Sequence, residues 1–398
     1  YEIKTKQFFV PNVLSFSTEG REFRYGAIGQ PPEMWLNWAK TTDPMRLPGL
    51  PAVLRSIELL LTPQMVLDIL RTFTLYTVRP TSSGALQIKI IPRYPQVEAV
   101  EAIVARCKDP KKRQGLVWHH QGSGKTFAMA FAAAKLRQQM DMNAPAIVVV
   151  LDRLDLIQQT VSEFTSAGVF GMQIAETKES LQKMLQGDVS GVIVTTIFRF
   201  AQAGELNTRS NIVVMVDEAH RTQEGRLGLD MRAALPNAKF IGLTGTPIST
   251  SDRNTWEMFG DPDDPDGALN HYSVERSIYD GATLPVHIET RLVNFHFDKV
   301  ALQDAFDKLA EEESLTEEQA GKLAAKASHL SVVVKDSDRI KAVCQDIVTH
   351  YRTKVAPLGL KAQVVAFDRE TCVAYYNAIN ALLYPGEEAT IVMTTTKD

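Results

Sequence analysis

Residues 115–126 read Gly-Leu-Val-Trp-His-His-Gln-Gly-Ser-Gly-Lys-Thr, an apolar stretch that runs into a glycine-rich loop. The residues that follow, 127–139, have the composition of a helix. Gly122 and Gly124 carry no side chain that would keep backbone N–H groups away from a polyphosphate. The order of strand, glycine-rich loop and helix predicts a phosphate-binding loop at the carboxyl end of a buried strand.

Each remaining side chain of this loop has a predicted role. Lys125 would reach the β- and γ-phosphates of ATP, and the hydroxyl of Thr126 would ligate Mg²⁺. Gln121 and Ser123 would line the same cradle. The strict motif has glycine at the first position, where this chain has His119. The glycines nearest the phosphates remain, so the predicted chemistry is unchanged.

An acidic pair lies about ninety residues downstream. Asp217 and Glu218 follow the apolar run 212–216. At a strand end beside a phosphate loop, Asp217 would hold Mg²⁺ and Glu218 would polarise the attacking water. In isolation such a pair is more often a charge pair at a helix N-terminus. With the phosphate loop present, we assign Lys125, Asp217 and Glu218 to catalysis.

Two residues upstream of the loop are candidates for recognising the base. The amide of Gln96, just before the amphipathic segment 97–106, could read an adenine edge, and the ring of Tyr94 could stack on it. This signal is weak on its own, and an ordinary structural role for both residues stays open.

Polar residues follow the other predicted strands. Hydroxyl residues after the run 240–243 could relay the state of the γ-phosphate. The N–H and hydroxyl groups of the pairs Asp152-Arg153 and Thr195-Thr196, which follow two other strands, suit the phosphates of a nucleic-acid backbone. The candidates for coupling are His220, Thr244, Gly245 and Thr246. The candidates for DNA binding at these strands are Arg153, Thr195 and Thr196. Each of them alone is ordinary loop chemistry.

The segment 86–285 alternates apolar runs with helical ones. The runs are 115–119, 146–151, 192–196, 212–217 and 240–244, and the helical segments are 127–139, 154–164, 180–185 and 225–234. Strands that are apolar on both faces belong in parallel sheets covered by helices. The expected fold class is α/β, with the functional loops at the carboxyl ends of the strands.

Bulk composition bounds the function. The 398 residues are 44% hydrophobic and 23% charged, as in a globular protein of two or three domains. The net charge of −4 excludes a basic nucleic-acid coat, so DNA contacts must use local patches. Three cysteines without ligand spacing argue against a zinc site and favour a reducing, cytoplasmic location. No apolar run approaches the roughly 20 residues of a membrane span, so no membrane contact is expected.

The motifs, in this order, resemble those of superfamily 2 helicases and translocases with a DEAH-type acidic motif. Residues 117–126 and 217–223 look like the motor (R) subunit of type I restriction endonucleases, and 364–369 look like the first motif of its second lobe. The resemblance implies RecA-like lobes, ATP and Mg²⁺ as cofactors, and double-stranded DNA as substrate. It also implies the methyltransferase (M) and specificity (S) subunits as partners, and a DNA contact at Arg369.

The resemblance also implies a domain division. Residues 1–80 would hold the C-terminal part of a PD-(D/E)xK nuclease domain and a linker, 81–285 the ATP-binding lobe, and 286–398 the start of an incomplete second lobe. Segments 8–12 and 17–20 look like the nuclease tail. Residues Glu2 to Lys4 mimic a catalytic Glu-x-Lys in the wrong place, so the nuclease carboxylates are expected before residue 1. The Pro- and Ser-containing stretch 79–84 is itself typical of a linker. In the last segment, residues 362–367 are predicted to form a strand.

The leading hypothesis is an ATP-dependent motor that translocates double-stranded DNA and, in the full complex, drives cleavage of unmodified foreign DNA. The arginines that the family directs at the γ-phosphate would lie beyond residue 398, so we expect this chain alone to bind ATP–Mg²⁺ but to hydrolyse it slowly. One rival is a stand-alone superfamily 2 helicase that separates strands. Another is a non-catalytic DNA-binding scaffold, against which the intact Lys125, Asp217 and Glu218 argue.

Overall fold

The computed structural model describes residues 6–9, 11–45, 49–81, 84–219, 226–250, 253–291 and 334–393. The chain divides into two compact units, Tyr1–Pro285 and Val286–Asp398. His220 and the Glu2 to Lys4 stretch lie outside the described residues. Among the described helices, none has the length and apolar character to cross a membrane.

The first ninety residues form small hairpins and helices ahead of the main sheet. Their elements are α1 (Lys6–Phe9), β1 (Ser15–Thr18), β2 (Phe23–Gly26), α2 (Leu50–Leu60), α3 (Pro63–Arg71), β3 (Leu75–Thr81) and β4 (Gly84–Ile90). Strands β1 and β2 pair antiparallel, and so do β3 and β4. The described residues of the stretch predicted as a linker, 79–81 and 84, therefore belong to the two strands of this hairpin. Both strands of such a hairpin are edges, where Pro80 is tolerated.

The rest of the first unit alternates helices and strands. Its elements are α4 (Tyr94–Lys108), β5 (Gln114–His119), α5 (Lys125–Arg137), β6 (Ala146–Leu151), α6 (Leu156–Ser166), β7 (Gln173–Ile174), α7 (Lys178–Leu185), β8 (Gly191–Thr196), β9 (Ile212–Asp217), α8 (Arg226–Ala234), β10 (Lys239–Thr244), β11 (Ser249–Thr250), β12 (Arg253–Asn254), α9 (Thr255–Phe259), β13 (Asn270–Tyr272) and α10 (Val274–Tyr279). All five predicted runs are strands, and their bounds agree to within one residue.

Seven parallel strands form the central sheet, in the order β13-β5-β10-β9-β6-β8-β7. Alternate residues of each strand enter two different cores. Val213 and Met215 pack with α4, α5 and α6 on one face, whereas Val214 and Val216 pack with α7 and α8 on the other. Full burial of such a side chain stabilises the fold by about 1.5–3 kcal/mol. The predicted α/β class, a parallel sheet with helices on both faces, is confirmed.

The described part of the second unit contains two main helices, α11 (Ser337–His350) and α12 (Arg369–Asn380). Asp368 caps α12, since its carboxylate accepts a 2.8 Å bond from the N–H of Thr371. The strand predicted at 362–367 is wrong: the segment is largely exposed and forms no ladder. A strand needs a neighbour, and the described residues of this unit offer none.

Gly242 tests the packing of the sheet against α9. A methyl group at this position would lie 2.6–2.9 Å from three ring atoms of Phe259. We expect Gly242→Ala to lower the free energy of unfolding of the first unit by about 1–3 kcal/mol, because a packed core resists added volume. Urea unfolding followed by tryptophan fluorescence measures it.

The control is Gly187→Ala, where an added methyl group meets nothing within 4 Å. Its expected effect is below about 0.5 kcal/mol. Equal losses in the two variants would contradict the packing argument.

Candidate nucleotide-binding site

The phosphate loop connects β5 to α5. Gly122 and Gly124 have φ angles of 83° and 84°, in the left-handed region that glycine adopts without strain. Gly124 is also the residue that caps the N-terminus of α5. A Cβ atom there would overlap Nε2 of Gln96. Conformation and space therefore both require glycine at position 124.

The loop contains buried polar atoms that suit an anionic ligand. Among the described residues, the Ser123 hydroxyl oxygen and Nε2 of His120 are buried without a hydrogen-bond partner. A buried donor without a partner is costly, and a phosphate oxygen is an acceptor that Ser123 could use. The N-terminus of α5, with its unpaired N–H groups and positive dipole end, faces the same loop. The residues present fit a nucleoside triphosphate.

Lys125 lies between the loop and the acidic pair. Only 7% of its surface is exposed. Its Nζ donates to the backbone oxygen of His119 at 3.4 Å and lies 4.0 Å from Oε1 of Glu218. Thr126, predicted to bind metal, is half-buried in the first turn of α5. The structure thus brings together Lys125 and Glu218, which are ninety-three positions apart in the sequence.

Asp217 and Glu218 reach this place because of strand order. Strand β10 separates β5 from β9, and all three are parallel, so their carboxyl ends share one edge. Asp217 ends β9, and its Oδ1 accepts a 3.0 Å bond from the N–H of Glu218. Glu218 has a φ angle of 46°, a left-handed conformation that is unusual for a residue with a side chain. Strain of this kind concentrates at functional sites.

The electrostatics of Asp217 depend on its burial. Burial, with a smaller contribution from Glu218, raises the pKa of Asp217 to about 6, and Lys125 opposes the shift. Asp152, just after β6, raises that pKa further. A divalent cation at this carboxylate would favour its charged form. We did not assign Asp152 to the site from the sequence, although a carboxylate at a strand end was the available signal.

The loop after β10 contacts the phosphate loop directly. A Cβ atom on Gly245 would lie 2.9 Å from the backbone nitrogen of Gln121 and 3.2 Å from the backbone oxygen of His119. Thr244 is fully buried, and its Oγ1 accepts a 3.2 Å bond from the N–H of Thr246. Of these predicted coupling residues, Gly245 therefore packs against the phosphate loop, and Thr244 and Thr246 flank it in the chain.

The amide of Gln96 binds protein groups at both ends. Its Oε1 accepts from the N–H of Arg93 at 2.9 Å, and its Nε2 donates to the carbonyls of Gly124 (3.1 Å) and Ser123 (3.4 Å). Gln96 therefore ties the phosphate loop to the start of α4. An additional contact with adenine stays a prediction.

The stacking role predicted for Tyr94 is wrong. Only 3% of this residue is exposed. Its phenol donates to Oδ2 of Asp280 at 2.5 Å and accepts from Nε of Arg276 at 2.9 Å, and its ring contacts Tyr272 edge-on. Tyr94 is a buried structural residue, and its ring offers no surface to a base.

The predicted DNA contacts divide into two groups. Thr195 and Thr196 are buried, and the Thr195 hydroxyl donates to the carbonyl of Ala175 at 3.4 Å, so their side chains do not face a nucleic acid. Side-chain contacts from these two residues to DNA are therefore wrong. Arg153 and Arg369 are exposed, and their contacts with DNA stay predictions.

Two curated proteins are similar in sequence to this chain. It is 32% identical over 414 residues to the type I restriction enzyme HindI endonuclease subunit of Haemophilus influenzae, a match that covers 96% of the chain and 38% of that protein. It is 30% identical to the type I restriction enzyme SsaAORF53P endonuclease subunit of Staphylococcus saprophyticus, over 49% of the chain and 21% of the relative. The resemblance inferred from the motifs is confirmed, and the chain spans less than half the length of these relatives.

Solved structures show a weaker likeness. The UvsW helicase of bacteriophage T4 matches with a TM-score of 0.33 at 18% identity, over 46% of the chain and 60% of that protein. A nuclease-deletion mutant of the Type ISP restriction-modification enzyme LlaGI, solved with a DNA substrate mimic, matches with a TM-score of 0.32 at 14% identity, over 72% of the chain and 31% of that protein. At such scores nothing about function follows from the likeness.

A family model decides the assignment. The model of the SWI2/SNF2 ATPase matches residues 95–320, more than half of the chain. The matched region contains the phosphate loop, the acidic pair and the loop after β10, which the structure places together. The chain therefore belongs to the SWI2/SNF2 ATPase family.

Proposed function

We propose that this chain is the ATP-binding motor part of a type I restriction endonuclease subunit, and that it couples ATP hydrolysis to translocation along double-stranded DNA. The observation that carries the proposal is the placement of buried Lys125 between the phosphate loop and Glu218. A buried lysine beside a helix N-terminus and two carboxylates suits a triphosphate with its metal. Names of the relatives supply the restriction context.

The residues have distinct roles in this proposal. Lys125 and the N–H groups of the loop hold the β- and γ-phosphates. Thr126 and Asp217 hold Mg²⁺ together with phosphate oxygens, the arrangement that this ion prefers. When bound, Mg²⁺ neutralises negative charge on those oxygens. Glu218 orients the attacking water and accepts its proton.

Coupling to DNA runs through the loop after β10. Gly245 lies against the backbone of the phosphate loop, so a shift of that loop on hydrolysis must displace Gly245. Thr246 and His220 would pass the change on to the surface that holds DNA. Arg153 in the first unit and Arg369 in the second would each supply positive charge for DNA phosphates.

The surroundings of the motor follow from the type I context. We propose double-stranded DNA as its track, methyltransferase and specificity subunits as partners, and a cytoplasmic location. Residues 1–80 would end a nuclease domain, 81–285 form the ATP-binding lobe and 286–398 begin the second lobe. The DNA sequence recognised would depend on the specificity subunit.

Removal of the lysine charge tests nucleotide binding. We expect Lys125→Ala to weaken binding of ATP–Mg²⁺ to this chain by about 10- to 100-fold, because hydrogen bonds to charged groups contribute about 1.5–3 kcal/mol. Isothermal titration calorimetry measures the affinity. Lys183→Ala, on the exposed side of α7, is the matched control. Absence of nucleotide binding by the wild-type chain would leave the scaffold hypothesis standing.

Glu218→Gln separates binding from hydrolysis. We expect the variant of the parent-length protein to keep its ATP affinity within about threefold and to lose about 10²–10⁴-fold in DNA-stimulated turnover, because the amide cannot accept the proton of water. A phosphate-release assay with and without duplex DNA measures this. Unchanged turnover would remove Glu218 from the catalytic set.

The mode of action needs its own assay. We expect the parent-length protein with its partner subunits to displace a bound triplex-forming oligonucleotide from intact duplex, and Glu218→Gln to abolish the displacement. Release of single strands from the duplex would favour the stand-alone helicase instead. The same preparation without ATP is the control.

A further inference from the structure

His119 connects the base of the phosphate loop to a partly buried polar network. The residue is fully buried, and its Nε2 lies 2.5 Å from Oδ1 of Asn270. Its backbone oxygen accepts the 3.4 Å bond from Nζ of Lys125. His119 thus holds Lys125 through its backbone carbonyl, and Asn270 holds the side chain of His119.

The acceptors around Asn270 determine the orientation of its side-chain amide. Its Nδ2 donates to Oε2 of Glu98 at 3.2 Å and to Oγ1 of Thr41 at 3.4 Å. With the amide nitrogen turned toward these acceptors, its oxygen faces His119 and requires an N–H from Nε2. Burial lowers the pKa of His119 to about 4, so the ring is neutral at pH 7 and carries its proton on Nε2.

Glu98 links this pair to the segment that precedes the sheet. Its carboxylate, on α4, accepts from the Thr41 hydroxyl at 2.6 Å and from the Thr41 N–H at 3.2 Å. A continuous series of contacts therefore runs from Thr41 through Glu98, Asn270 and His119 to Lys125.

The side-chain contacts of Asn270 are not needed to hold strand β13 in the sheet. Asn270, His271 and Tyr272 already pair in register with β5, and the N–H of His120 donates to the carbonyl of Tyr272 at 3.1 Å. Those backbone bonds hold the strand whatever side chain stands at position 270. The side chains of Asn270 and Glu98 add an orientation of His119 that the ladder does not supply.

We propose that Asn270 is a positioning residue for ATP binding: held by Glu98 and Thr41, it orients His119 and thereby sets the place of Lys125. The inference rests on the proposed function. It adds that a residue ahead of the motor's first helix, Thr41, supports the nucleotide site. Asn270 itself touches no phosphate in this scheme.

The test is a fluorescence titration of the whole chain with N-methylanthraniloyl-ATP and Mg²⁺. We expect Asn270→Ala and Thr41→Val to weaken binding about five- to tenfold, the size of one or two lost hydrogen bonds. Thr41→Ser keeps the hydroxyl and should stay within about twofold of wild type. Melting temperatures are recorded for every variant.

Asn211→Ala is the matched control. The amide of Asn211 also makes several hydrogen bonds: it donates to the carbonyls of Met142 and Asn143 and accepts from Nε of Arg209. Asn211 precedes β9, however, at the amino ends of the strands, away from the phosphate loop. We expect its nucleotide affinity to equal that of wild type. An equal loss of affinity in Asn211→Ala would reduce the effect to general destabilisation and overturn the inference.

A second readout does not depend on nucleotide. In ¹⁵N NMR spectra of the ring nitrogens, assigned by comparison with His119→Gln, wild-type His119 should show a single Nε2–H tautomer, and Asn270→Ala should shift toward a mixture.

No binding of the analogue by wild type would overturn the proposed function. Wild-type binding with unaltered affinity in Asn270→Ala and Thr41→Val would overturn this inference alone. Should Asn270→Ala fail to fold, the contrast between Thr41→Val and Thr41→Ser decides it.

Discussion

The buried charge of Lys125 is the constraint on which the site depends. A buried ammonium without partners is strongly unfavourable, and here it meets a backbone carbonyl and the carboxylate of Glu218. Those partners come from different strands, because His119 ends β5 and Glu218 directly follows β9. The parallel sheet solves this by placing the ends of β5 and β9 on one edge with only β10 between them.

The same constraint shapes the loops around the lysine. The phosphate loop turns at two glycines, and the methyl group that a larger residue would add at position 124 has no room beside Gln96. A Cβ atom on Gly245, after the neighbouring strand, would also lie too close to the backbone of this loop. Because these backbones touch, a change in one loop cannot leave the other unaffected. Close packing is what makes such a site able to transmit a two-state change.

The sequence predicted those features of the fold and the site that depend on short stretches of residues. The run 212–216 is apolar at every position, so it had to be buried on both faces, and a parallel sheet is the fold that does this. The loop was predictable because glycine at 122 and 124 and lysine at 125 have few other uses in that order. The strand order, which brings Asp152 toward Asp217, leaves no mark in the sequence.

The wrong predictions share one cause, which is that they depend on contacts between distant segments. A threonine at a strand end looks the same whether it faces solvent or, like Thr195, the carbonyl of Ala175. Tyr94 precedes Gln96 by two residues, yet it lies in the interior because Asp280 and Arg276 bind its hydroxyl. Asn270 stands in a strand of three residues, too short for any periodicity to reveal.

Two partly buried polar networks join the segment before the sheet to residues of the sheet and its flanking helices. In one, Asp280 accepts bonds from Arg276 (3.2 Å), Tyr272 (2.9 Å) and Asn37 (3.2 Å), and Arg276 also donates to the carbonyl of Asp43 at 2.5 Å. The other runs from Thr41 to the phosphate loop. Replacement of buried ion pairs by apolar residues is often neutral or stabilising, so the presence of these pairs is weak evidence for added stability. Contacts at both ends of residues 37–43 thus fix the orientation of this segment relative to the strand that carries His119 and to the phosphate loop.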